Sequence, residues 1–413
     1  MTLLRGWFGV ALWQRVMAGL ALGVALGLAA PAAVPWVSFL GEIFVRLIRM
    51  LVVPIVLVTV AAGIASLSDF RRLGSIGGRA VLLFLATTVI AVSLGIVVGL
   101  IFQPGANVSL ASATPHALGP AKTAYDTMMG IVPLNIFDAL GRGDMLAILF
   151  VAVLLGAGTV AAGEAGAPLA ALLDSASNVL LHIVRFAMEF TPFGVFALVA
   201  AAVAANGVAI FASIGILALC VVIGSLVQML LVHSLLVRLV AHIPVSLFFR
   251  GIAGALIVAF STASSSATLP VAMRVAQDNL GIARPVASMV LPLGASIGKD
   301  GTAMYVGLLS MFGLQLFGVP IDPATLGIVL FTAVLAALGT APIPSASLFM
   351  LAAVLAAAGV TAEQTALIVG LILPFDRLLD MTRTVSSASA NLAVTAVVAA
   401  LGGKKGADDR SDP

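Results

Sequence analysis

The stretch Asp376–Asn391 reads DRLLDMTRTVSSASAN and lies inside the otherwise apolar run 366–401. Its polar residues Asp376, Asp380, Arg383, Thr384, Ser387 and Asn391 fall at i, i+4, i+7, i+8, i+11 and i+15. At about 100° per residue these positions share one face of a helix. Charge at bilayer depth is costly, so such a face turns toward a protein interior or a water-filled path. A stripe carrying both signs of charge, in a chain this poor in charge, reads as part of a binding site for a charged solute.

Composition fixes the setting. Of 413 residues, 62% are hydrophobic and 9% charged, whereas a soluble domain carries about 25% charged residues. The chain therefore reads as an all-α integral membrane protein. The net charge of +3 comes from few residues, and no basic tract is interleaved with aromatics, so no nucleic-acid partner is expected. The single Cys220 excludes a disulfide framework within the chain. His116, His182, His233 and His242 show no metal-ligand spacing, and the sequence asks for no cofactor and no metal enzyme.

Apolar segments of spanning length, roughly 20 residues, occur near 14–33, 37–66, 79–103, 143–162, 170–205 and 208–240. Small residues at Ala30–Ala33 resemble a cleavage site, but the preceding run is long enough to span, so an uncleaved first helix is expected. The polar connection 104–128 reads as a loop. Arg5, Arg15, Arg71, Arg72, Arg79, Arg238, Arg250, Lys404, Lys405 and Arg410 fall on one side of this pattern, which places both termini in the cytoplasm.

Two later apolar runs are interrupted, by STASSSATLP at Ser261–Pro270 and by GTAPIPSAS at Gly339–Ser347. Open backbone at membrane depth is tolerated only inside protein or beside a cavity, so each reads as a re-entrant hairpin. The first is flanked by Arg250, Arg274 and Arg284 and enters from the cytoplasm. The second is flanked by Asp322 and Glu363 and enters from outside. Each is followed by a polar-interrupted span, GASIGKDGT at Gly294–Thr302 and then the Asp376–Asn391 stripe. That is the pattern of inverted repeats meeting at a midplane site. Exposed helix ends and the hydroxyls of Ser264, Ser265, Ser266 and Thr268 favour an anion. Arg383 offers a fork suited to carboxylate, and Asp380 on the same face suits an ammonium.

These motifs carry a resemblance. FSTASSSATLPVAMR, LPLGASIGKDGTAMY and LLDMTRTVSSASANLAVTAVV resemble the first hairpin, the unwound segment and the last helix of the glutamate/aspartate transporter family (dicarboxylate/amino acid:cation symporters). IRMLVVPIVLVTVAAGIASL and FTPFGVFALVAA resemble its second and fifth helices, and the likeness covers essentially 1–402. It implies eight transmembrane helices plus two re-entrant hairpins, working as an elevator in a homotrimer of the bacterial inner membrane, in contact with lipid. The scaffold would be 1–70 (helices 1 and 2) and 125–206 (helices 4 and 5). The moving transport domain would be 75–104 (helix 3) and 207–402 (helix 6, hairpin 1, helix 7, hairpin 2 and helix 8). A disordered cytoplasmic tail would follow at 403–413.

By the same resemblance, Arg383 would bind the side-chain carboxylate of an acidic amino acid and Asp380 its amino group. Thr302, Thr384, Ser387, the backbone of Ser264, Ser265 and Ser266, and the second hairpin at Ala341 and Pro342 would complete the site. Relatives that carry dicarboxylates without an amino group tend to lack an acid at the Asp380 position, which favours aspartate or glutamate over a C4-dicarboxylate. An anion channel is the competing class. An intramembrane enzyme built on Ser265 and Lys299 lacks any matching context.

The ion-coupling positions depart from the family. Sodium-coupled relatives carry NMDGT where this chain has Gly298-Lys299-Asp300-Gly301-Thr302, and an Asn and Asp where it has Ser387 and Asn391. Only Asp300, Thr87 and Thr88 remain of the usual oxygen ligands. Lys299 beside Asp300 is expected to stand in for the cation, giving sodium-independent transport with proton coupling as an option. Pro342, Pro344, Ser345 and Ser347 stiffen the second hairpin tip. Ala263 replaces an arginine of some relatives, a role open to Arg377.

Overall fold

The computed structural model describes residues 10, 12–65, 74–106, 129–207, 210–340 and 346–406. Every regular element among them is helical. The helices are α1 (Leu12–Ala29), α2 (Val34–Ala65), α3 (Gly74–Phe102), α4 (Ile136–Arg142), α5 (Met145–Ala161), α6 (Ala167–Met188) and α7 (Thr191–Asn206). They continue as α8 (Ile210–Val227, with π-wound turns at Gln228–His233 and Val237–Ala241), α9 (Val245–Thr262) and α10 (Ser265–Asp278). The last are α11 (Arg284–Ile297), α12 (Asp300–Leu316), α13 (Pro323–Leu338), α14 (Ala346–Ala357) and α15 (Ala362–Gly406).

Five helices among the described residues are long and apolar enough to cross a membrane, or six if the pair bent by 115° at Ala30 is one span. The run 170–205 differs from its expectation as a single span. It divides into α6 and α7 at Glu189–Phe190, where Pro192 is set in the first turn of α7, a position that proline favours. Glu189 at this junction accepts a 2.7 Å ion pair from the buried Arg15 of α1. The last helix runs to Gly406 and so takes in the first residues of the expected tail. The rest of that tail, and the loop beyond residue 106, lie outside the described residues.

Two packing groups emerge. Helices α1, α2, α5, α6 and α7 pack on one another, and α3 packs with α8–α15. In the first group, Gly19, Gly23 and Gly27 of α1 lie directly over carbonyls of α7. A Cβ at Gly23 would stand 2.6 Å from the Phe196 carbonyl, and one at Gly27 2.7 Å from that of Ala200. Small residues at this spacing let two backbones touch.

In the second group α12 is the axis, buried along nearly its whole length between α3, α13, α14 and α15. Helices α9 and α10 pack against each other. Ala263 ends α9 at φ 50°, a left-handed turn that a non-glycine residue rarely takes. Ser264 then caps α10, its Oγ accepting from the Ala267 N–H at 3.3 Å. Helices α13 and α14 form a second packed pair. Asp322 caps α13, and the Thr325 N–H at 2.7 Å holds its carboxyl below the usual range.

Candidate functional site

The six polar residues of the α15 stripe are all buried. Arg383 is 1% exposed and is held on several sides. Its Nε donates to Asp380 Oδ1 at 2.9 Å. Its NH1 lies 3.7 Å from Asp376 Oδ1, and the Tyr305 ring of α12 sits 4.3 Å from its Cζ. Tyr305 in turn donates to Asp376 at 2.9 Å. Yet NH1 makes no hydrogen bond. A buried donor left unmade costs about 1–3 kcal/mol, a cost that an incoming carboxylate would remove.

Beside this guanidinium is a small cavity of about 20 Å³, room for about one water. Ala263 and Ser265 reach it from the α9/α10 turn, and Lys299 and Thr302 from the α11/α12 break. Thr340 and Ser347 reach it from either side of segment 341–345, and Asp380, Arg383, Thr384 and Ser387 from α15. The approach of α12 to α15 depends on Gly301, since a Cβ there would run into the Arg383 carbonyl. The Gly301 N–H donates to Ser387 Oγ at 3.1 Å, which sets Thr302 on the wall.

Of the residues singled out from sequence, Arg383, Asp380, Thr384, Ser387, Thr302 and Ser265 meet at this cavity. Ser264 does not line it, because its side chain and carbonyl cap α10. Ser266 is exposed on α10. Ala341 and Pro342, with Pro344 and Ser345, lie outside the described residues. Arg377 is half-buried and is not among the lining side chains. Sequence reasoning passed over Ala263, Thr340 and Ser347 as wall residues. Ser347 is the informative one, since its buried hydroxyl has no partner.

The ion-coupling positions carry a correction. Lys299 is 3% exposed, but it does not pair with Asp300. It lines the cavity and interacts electrostatically with Asp380. Lys299 is the N-cap of α12 and Asp300 its first helical residue, so the two side chains leave the backbone in different directions. Asp300 is fully buried among Thr87, Thr88, Gln228 and His233. Asn391 is packed over Gly294 and Gly298, where a Cβ at Gly294 would stand 2.7 Å from its Oδ1. That oxygen has no hydrogen-bond partner. Glycine at 298 therefore leaves the room that the Asn391 amide fills.

The family model for the sodium:dicarboxylate symporter family matches residues 12–401. The chain belongs to this family. It is 33% identical over 384 residues, 90% of each chain, to a proton/sodium-glutamate symport protein of Geobacillus stearothermophilus. It is 32% identical over 390 residues, 92% of this chain and 87% of the relative, to a C4-dicarboxylate transport protein of Anaeromyxobacter sp. (strain K). A proton/glutamate-aspartate symporter of Escherichia coli (strain K12) is 33% identical over 373 residues, 87% of this chain and 84% of the relative. As a sodium:dicarboxylate symporter relative with several long apolar helices, the chain is an integral membrane protein of a transporter class.

Proposed function

We propose that this symporter carries acidic amino acids, aspartate or glutamate, without sodium and by an elevator movement in a bacterial inner membrane. The observation that carries the reading is Arg383. It is rigidly held on three sides, its NH1 makes no hydrogen bond, and it shares a small cavity with Asp380, Thr302 and Thr384. A fixed fork selects a carboxylate, and Asp380 gives an ammonium its counter-charge. Lys299 adds a cation to the wall, opposite Asp380 rather than Asp300. The two packing groups support a scaffold (α1, α2, α5–α7) and a moving unit (α3, α8–α15), and a homotrimer completes the proposal.

Lys299 also favours a second reading. Two cations face one carboxylate in the cavity, and Asp380 is already engaged by Arg383. That balance suits a C4-dicarboxylate lacking an ammonium, the solute after which some relatives are named.

The test is uptake of labelled aspartate into liposomes holding the purified chain, with sodium replaced by choline and with succinate as competitor. Saturable uptake that persists in choline and yields to glutamate more than to succinate is expected. Preference for succinate moves the assignment to the second reading. A large loss of affinity in choline removes the sodium-free part, and current without uptake makes the protein a channel.

A further inference from the structure

Asp300 begins α12, is fully buried, and has no help from Lys299. A buried carboxylate needs a counter-charge or a full set of donors. From α3, the Thr87 and Thr88 hydroxyls stand 3.0 and 3.5 Å from its Oδ1. The other oxygen accepts from α8, where Gln228 Nε2 donates at 3.2 Å, and His233 Nε2 stands 3.4 Å away without closing a hydrogen bond. The far side of the imidazole, Nδ1, lies 3.0 Å from Ser389 Oγ on α15. Gln228 and His233 are themselves fully buried.

The backbone is wound to make this possible. Five residues apart on an α-helix, the two side chains would point about 140° away from each other. The turn Gln228–His233 is π-helical, and its i→i+5 winding brings them back into line. The amide also faces Asp300 with its nitrogen, while its Oε1 has no partner. Asp300 is one residue from Gly301, which holds Ser387, and two from Thr302 on the cavity wall. What satisfies Asp300 therefore bears on the substrate site.

We infer that Gln228, with His233 beside it, is a tethered substitute for a cation at Asp300, a donor and an imidazole built into α8 that let substrate bind with no sodium recruited. The inference rests on the sodium-free reading above and names the positioning residues responsible for it.

Its test is aspartate affinity of the purified full chain in sodium chloride and in choline chloride at equal ionic strength. The subjects are wild type, Gln228→Ala and the double variant Gln228→Ala/His233→Ala. Wild type should give a ratio near one. The double variant should bind more weakly in choline and recover in sodium, a ratio of about tenfold, and Gln228→Ala about threefold. A merely structural role for the pair lowers affinity in both salts and leaves the ratio unmoved, which overturns the inference. If the double variant does not yield a monodisperse protein, the ratio for Gln228→Ala decides. Sodium dependence already present in wild type brings down the sodium-free reading as well. Sodium indifference in wild type and variants alike brings down this inference alone.

Discussion

Arg383 and Lys299 show how a residue can be recognisable in sequence while its partner is not. The helical period placed Arg383, Asp380 and Asp376 on one face, and the structure brings them within ion-pair reach. Lys299 and Asp300 are adjacent in sequence, yet one faces the cavity and the other α3 and α8. The Asp300 partners Thr87 and Gln228 are 213 and 72 residues away, and no local pattern announces them. This separation predicts the behaviour of Lys299→Met. The variant still has Gln228 and His233 on Asp300, so its aspartate affinity should stay the same in sodium and choline. Loss of a cation from the wall should weaken binding about tenfold in both salts. Titration of the single variant in the two salts checks this, and sodium-dependent affinity in it would show that Lys299 alone had displaced the ion.

At the scale of elements, breaks made by serine and glycine were legible. STASSSATLP gives the turn at Ala263–Ser264 and GASIGKDGT the gap between α11 and α12, because these residues favour caps and turns over helix interiors. Distortions inside apolar helices were not legible. The π-wound turns of α8 preserve its apolar character, and an α-helical wheel separates the residues that they align. The seam of Gly19, Gly23 and Gly27 was equally hidden among small apolar residues, though their spacing of four was a signal that a search for small-residue ridges would have found. That seam predicts that Gly23→Val, which drives a branched side chain into the Phe196 carbonyl, costs about 2 kcal/mol of stability. A clear drop in melting temperature of the detergent-purified protein is the expected result. An unchanged melting temperature would mean that α1 and α7 are not held by backbone contact.

For the whole molecule, the division into two packing groups makes a mechanical prediction. The groups meet where α7 packs on α15 and where α2 packs on α14 and the end of α13. A Cβ at Gly63 would lie 3.0 Å from the Leu338 carbonyl oxygen and 3.7 Å from the Gly339 Cα. If substrate crosses by sliding one group along the other, this contact cannot survive a transport cycle. Cysteines at Gly63 and Gly339, in a chain whose one native thiol, the buried Cys220, is replaced by serine, should be bridged by mercuric ion. Bridging should stop aspartate uptake into liposomes, and reductant should restore it. Aspartate binding to the bridged protein should persist, because every described wall residue of the cavity lies within the second group. Uptake at the unbridged rate after complete cross-linking would mean that the two groups need not move apart. Loss of binding together with uptake would place the α2–α13 contact in the substrate site rather than between a fixed body and a moving one.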